Sequence, residues 1–192
     1  MISTPILEVL DLVYIIIVIA LLLIVVPFFS ILPSPIQRQQ MKMRQAARKA
    51  GVSVDLVMID DPNPEQDKYI SYSGRIIPAR LKVAAYRIQR DREHRWRRLP
   101  EIRWSLKRRI DGSWLWDSSG ESLSSELMTF LEKAKEELPS DVEKVEESSY
   151  NIFVYWHERT PGSEDNVLNF LTKCAELPLY GSTCESIRES QE

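Results

Sequence analysis

Residues 122–158 read SLSSELMTFLEKAKEELPSDVEKVEESSYNIFVYWHE, and this stretch decides the fold class. Leu123, Leu127, Phe130, Leu131, Ala134 and Leu138 recur at helical spacing, so Ser122 to Leu138 is expected to be a helix. Pro139 ends it, since proline can neither donate to nor fit inside the next turn. The period then changes to two. Val142 to Glu147 and Asn151 to Glu158 are expected strands of a hairpin, with Ile152, Val154 and Trp156 on one face.

The pattern repeats on both sides. Upstream, Ile102 to Arg109 and Ser113 to Ser118 form an expected hairpin around Asp111-Gly112. Trp104 and Leu106 share a face there, and Trp114 and Trp116 can meet them across the ladder. Downstream, a helix is expected from about Glu164 to Leu177, with Val167, Leu168, Leu171 and Ala175 inward and Pro178 as the stop. Further upstream, Val52 to Ile59 and Leu81 to Gln89 are strand candidates. The fold class is therefore α+β: an antiparallel sheet with helices on one face, built from two hairpin–helix units after two leading strands. This domain is expected to run from 52 to 180, with a polar tail at 181–192.

Leu12 to Leu32 is different in kind. It holds no charge, and seventeen of its 21 positions are Leu, Ile, Val or Phe. At ~1.5 Å per residue it would reach ~31 Å, the thickness of a bilayer's hydrocarbon core. The expectation is a short outer tail at 1–11 followed by a transmembrane helix at 12–32. Arg38, Lys42, Arg44, Arg48 and Lys49 follow the apolar run and no basic residue precedes it. The positive-inside rule then predicts a single-pass protein with its N-terminus outside and its domain in the cytoplasm. Residues 34–51 are an expected basic juxtamembrane helix, with Ser34 as N-cap, Pro35 at the first helical position and Gly51 as the stop. Its five basic side chains are candidate contacts for lipid headgroups of the bilayer.

The net charge of −3 conceals segregation. Residues 36–50 carry +5, 51–67 carry −5, 68–112 carry +10 and 113–192 carry −11. Arg87, Arg90, Arg92, Arg95, Arg97, Arg98, Arg103, Lys107, Arg108 and Arg109 form a candidate surface for an anionic partner, with Tyr86, Trp96 and Trp104 interleaved. Anionic lipid, a protein or the acidic C-terminal half could meet it. Nucleic acid is not expected, because no established motif accompanies the run.

No chemistry-bearing constellation is apparent. His94 and His157 are the two histidines, and no nucleophile elbow, phosphate loop, dinucleotide fingerprint or zinc spacing occurs. Asp60-Asp61 lies in a Pro-rich loop without the spacing of an oxygen-ligand site. Cys174 and Cys184 read as a buried helix thiol and a tail thiol. No cofactor, no metal and no catalytic activity are expected. The leading expectation is an accessory or scaffold protein whose domain binds another protein. The alternatives are a tethered binder of anionic lipid or nucleic acid, and an enzyme with an unrecognised site.

Three segments carry a resemblance: Met43-Arg44-Gln45-Ala46-Ala47-Arg48-Lys49-Ala50-Gly51, Leu138-Pro139-Ser140-Asp141-Val142-Glu143-Lys144-Val145-Glu146, and Val154-Tyr155-Trp156-His157-Glu158-Arg159. With the apolar run, they resemble uncharacterised single-span bacterial inner-membrane proteins, some of which are labelled YajC-type translocase accessory subunits. The true YajC family is similar only in an anchor followed by a Gln- and basic-rich helix, here Gln37-Arg38-Gln39-Gln40-Met41-Lys42. The resemblance implies a bacterial inner-membrane location and brings no functional residues.

Overall fold

The computed structural model describes residues 4–31, 33–91, 102–119 and 123–181, with side chains described for 13–26, 33–91, 102–117 and 123–181. Two compact units divide at Arg38. The first contains α1 (Thr4–Ile31) and the start of α2 (Pro35–Lys49). The second contains the rest of α2 and all the strands.

The reading of 12–32 as a transmembrane helix is corrected here. Among the described residues no helix is long and apolar enough to cross a membrane. The single-pass inner-membrane placement and the orientation derived from it lose their support with the span.

α2 begins and ends as its sequence requires. Ser34 and Gln37 form a reciprocal capping box: the Gln37 amide donates to Ser34 Oγ (3.2 Å), and the Ser34 amide donates to Gln37 Oε1 (2.9 Å). At the other end Gly51 takes φ +80°. That left-handed turn lets the Val52 amide reach the Ala47 carbonyl and the Gly51 amide reach the Arg48 carbonyl, a Schellman closure.

The strands are β1 (Ser53–Asp60), β2 (Arg80–Gln89), β3 (Arg103–Arg108), β4 (Trp114–Ser119), β5 (Val142–Ser148) and β6 (Asn151–Trp156). They form one antiparallel sheet in the order β1-β2-β6-β5-β3-β4. The expected hairpins are β3–β4 and β5–β6, and they lie side by side in the sheet. Two helices complete the domain, α3 (Ser125–Ala134) and α4 (Glu164–Glu176). The α+β class is thus a six-stranded antiparallel sheet with four helices among the described residues. α3 starts at Ser125 because Ser124 caps it: Ser124 Oγ accepts from the Leu127 amide and donates to the Pro178 carbonyl.

Register places the alternating residues on two faces. Ala84, Tyr86, Trp104, Leu106, Val145, Ile152, Val154 and Trp156 point inward and pack in one core with Met43 and Ala47 of α2, Leu127 and Leu131 of α3, and Val167, Phe170, Leu171 and Cys174 of α4. The opposite face carries a small second cluster around Val83, Ala85 and Tyr155. Burial pushes the Cys174 thiol up to about 12, so it is an inert core group.

Candidate functional site

The segment between β1 and β2, residues 61–79, carries four exposed large apolar side chains, Ile70, Tyr72, Ile76 and Ile77. Asp61 fixes it from within. Its carboxylate is buried and accepts from Tyr69 Oη (2.5 Å), the Asn63 amide (2.7 Å) and Lys68 Nζ (3.0 Å). Burial works to raise the Asp61 pKa, but the bonds from Tyr69, Asn63 and Lys68 outweigh it and hold the carboxyl below its ordinary value. The same contact and burial push Tyr69 up. The Asp61 amide donates to the Ala79 carbonyl, closing the base of the segment, and Asn63 Nδ2 reaches the Arg108 carbonyl (3.0 Å), tying it to β3.

On that base stands a miniature hairpin. Ile70 and Ile76 face each other, the Ser71 amide donates to the Arg75 carbonyl, and the Gly74 amide closes the turn on Ser71. The Ile77 amide returns to the Tyr69 carbonyl. Ile70, Tyr72, Ile76 and Ile77 all face solvent, with Tyr72 fully exposed and Ile76 83% exposed. A short turn held at both ends, with four large apolar side chains outward, has its order supplied internally and its apolar cost left unrelieved.

Three residues of the expected anionic-partner surface, Arg90, Lys107 and Arg108, are engaged within the fold. Arg90 is 1% exposed and lies in the core, where its guanidinium makes a bidentate pair with Glu147. Burial opposes its charge, and the Glu147 carboxylate more than restores it. Its Nη1 also donates to the Leu177 and Ala175 carbonyls at the end of α4. Lys107 pairs with Asp117 (2.8 Å). Arg108 donates to the Pro139 carbonyl (2.9 Å) and lies over the Trp114 ring. Arg87, Arg103 and Arg109 are exposed, and Arg92, Arg95, Arg97 and Arg98 lie outside the described residues.

Of the five expected headgroup contacts, Arg44 is committed to the fold. Its guanidinium meets both Glu158 oxygens, and Tyr86 Oη donates to Glu158 Oε1 (2.8 Å). Glu158 is buried and left-handed, at φ +55°, a strained backbone for a side chain of this size. The strain is tolerated because the carboxylate ties α2 to the sheet. Arg38 donates to the Pro33 carbonyl (3.1 Å), and Lys42, Arg48 and Lys49 are exposed. His157 bonds to Glu143 (3.1 Å) at the end of β6, and His94 lies outside the described residues.

The sequence reading missed both the 61–79 hairpin and the Glu158 contact. Ile70, Ile76 and Ile77 around Ser71-Tyr72-Ser73-Gly74 carry the signal for the hairpin: a Gly turn between short apolar flanks. No group of His, Cys, Asp or Glu among the described residues is arranged to hold a metal ion. No family model, curated protein or solved structure matches this chain. The resemblance to YajC-type subunits therefore rests on the quoted residues alone.

Proposed function

We propose that this protein is an accessory or scaffold subunit that binds another protein through the 61–79 segment. The observation that carries the reading is the outward set Ile70, Tyr72, Ile76 and Ile77 on a turn pinned by the buried Asp61. An apolar, preordered projection loses little conformational entropy when a partner covers it, so its burial converts efficiently into affinity. Aromatic and large aliphatic side chains at a tip are the residue types that anchor protein interfaces. Arg75 and Lys68 flank the tip and Glu65 and Asp67 precede it, which gives the apolar centre a charged rim.

The test is site-specific photocrosslinking in cells, with the photoreactive residue at position 72 and, as control, at the exposed Asp165 of α4. The reading expects a discrete adduct with one other protein from position 72 that the control does not give. It also expects that adduct to disappear in an Ile70→Ser, Ile76→Ser variant of normal fold. Equal, diffuse labelling from both positions contradicts it.

A further inference from the structure

β1 is an edge strand with few of the usual protections, the one charge between its end residues being Asp55. It lies first in the sheet order, runs eight residues, and keeps perfect register with β2 from Ser53 to Asp60. It holds no proline and no bulge, and among the described residues no strand pairs with its outer edge. Such an edge presents a row of unpaired amides and carbonyls and invites another strand. Two of its inner-face side chains, Leu56 and Met58, are 56% and 65% exposed, beyond the reach of the helices that cover the rest of that face.

The charges beside this edge are arranged end to end. Its N-terminal side follows the exposed Arg48 and Lys49 of α2. Its C-terminal side ends on Asp60, whose carboxylate is 96% exposed and lies 3.9 Å from Arg80 of β2, and continues towards the exposed Glu65 and Asp67. A second copy laid antiparallel sets each acidic end beside the other's basic end. A parallel copy would place like charges together.

We infer that β1 pairs antiparallel with β1 of a second copy, joining two six-stranded sheets across a two-fold axis at Leu56. The register is selected by the side chains. With the axis at Leu56, Leu56 meets its own counterpart and Met58 lies opposite Val54, and the one acid–apolar pairing within the strand is Asp55 opposite Val57 on the other face. An axis at Asp55 sets two aspartates directly opposite. An axis at Val57 sets Val54 against Asp60 and Asp55 against Ile59, and one at Met58 sets Leu56 against Asp60 and Asp55 against Asp61. Like charges directly opposite weaken a ladder and an apolar–acid pair forgoes a favourable contact, and the Leu56 axis has no like-charge pair and a single apolar–acid pair within the strand. The 61–79 segment is not part of this seam, so the pairing stands or falls independently of the partner proposed above.

Disulfide trapping in the full chain tests both the pairing and its register, in a Cys184→Ser background to remove the tail thiol. Residues directly opposite in an antiparallel pair have Cα atoms ~4.5–5.5 Å apart, within disulfide reach. Leu56→Cys should therefore oxidise to a covalent dimer. Met58→Cys alone should not, since two such residues would sit four positions apart, ~14 Å. Met58→Cys mixed with Val54→Cys should give a mixed dimer. Asp60→Lys should slow Leu56→Cys trapping, and mixing that variant with an Arg48→Glu, Lys49→Glu, Leu56→Cys copy should restore it. Leu56 and Met58 are more than half exposed, so their replacement leaves the core untouched, and Val54 is only partly buried at the core's edge. Equal trapping rates for Leu56→Cys and Met58→Cys would overturn the inference, as would a mixed Met58→Cys/Val54→Cys dimer that forms no faster than Met58→Cys alone.

Discussion

Arg90 and Glu147 meet as a bidentate ion pair inside the core, Nε to Oε1 at 2.7 Å and Nη2 to Oε2 at 2.9 Å, with side chains 1% and 0% exposed. Trp104 Nε1 donates to the same carboxylate (2.9 Å), and the guanidinium also closes the C-terminal carbonyls of α4. One pair thus ties β2, β3, β5 and α4 together.

Breaking this pair from one side should cost far more than removing it. Glu147→Leu leaves a buried guanidinium without its carboxylate, and a loss of about 3–5 kcal/mol is expected. Arg90→Met with Glu147→Leu removes both charges and should lose less than the sum of the two single variants. Urea unfolding of the four members of the cycle measures this. Additive losses would mean that the pair contributes no coupling.

Glu158 offers a separable test of strain and contact. Glu158→Ala removes the carboxylate from Arg44 and Tyr86 and keeps a side chain at φ +55°. Glu158→Gly removes the same carboxylate and relieves the backbone. The glycine variant should be the more stable of the two by about 1 kcal/mol. In both, amide exchange in α2 from Gln39 to Lys49 should accelerate while β5 and β6 stay protected.

The 61–79 segment should loosen in acid. The folded Asp61 pKa is depressed, so its contribution is fully present above the ordinary carboxylate pKa and is lost as pH falls through the lower folded value. Amide exchange at Ile77 and Gly74, corrected for the intrinsic rate, should rise below about pH 4. Asp61→Asn should show faster exchange at neutral pH and no such acid transition. An unchanged acid transition in that variant would assign it to another group.

Cys174 should resist alkylation in the native protein. With its pKa near 12, the thiolate fraction at pH 8 is on the order of 10⁻⁴. In Cys184→Ser, labelling should follow global unfolding and should quicken in Glu147→Leu in proportion to its lost stability.

Most of the domain was legible because its elements are bounded by strong local signals. Pro139 and Pro178 stop two helices, Gly51 closes a third, and strict alternation at Ile152, Val154 and Trp156 fixes a buried face. Strand order was not legible, since side-by-side placement of the two hairpins depends on long-range pairing. Arg90 was taken for a surface charge because it sits in a basic run. Its parity with Ala84, Tyr86 and Ile88 places it inward, and Glu147 shares parity with Val145 in the same way. Arg44 was assigned outward by composition, and only tertiary contact with Glu158 reveals its role. The membrane reading of 12–32 rested on unbroken apolar composition, and among the described residues no helix is long and apolar enough to cross a membrane.

The most direct test of the protein-binding account is the position-72 photocrosslink compared with the Asp165 control in the same cells. The account predicts one discrete heterologous adduct from position 72, lost when Ile70 and Ile76 become serine. Labelling that is indistinguishable between the two positions, or that survives the serine replacements, would contradict it.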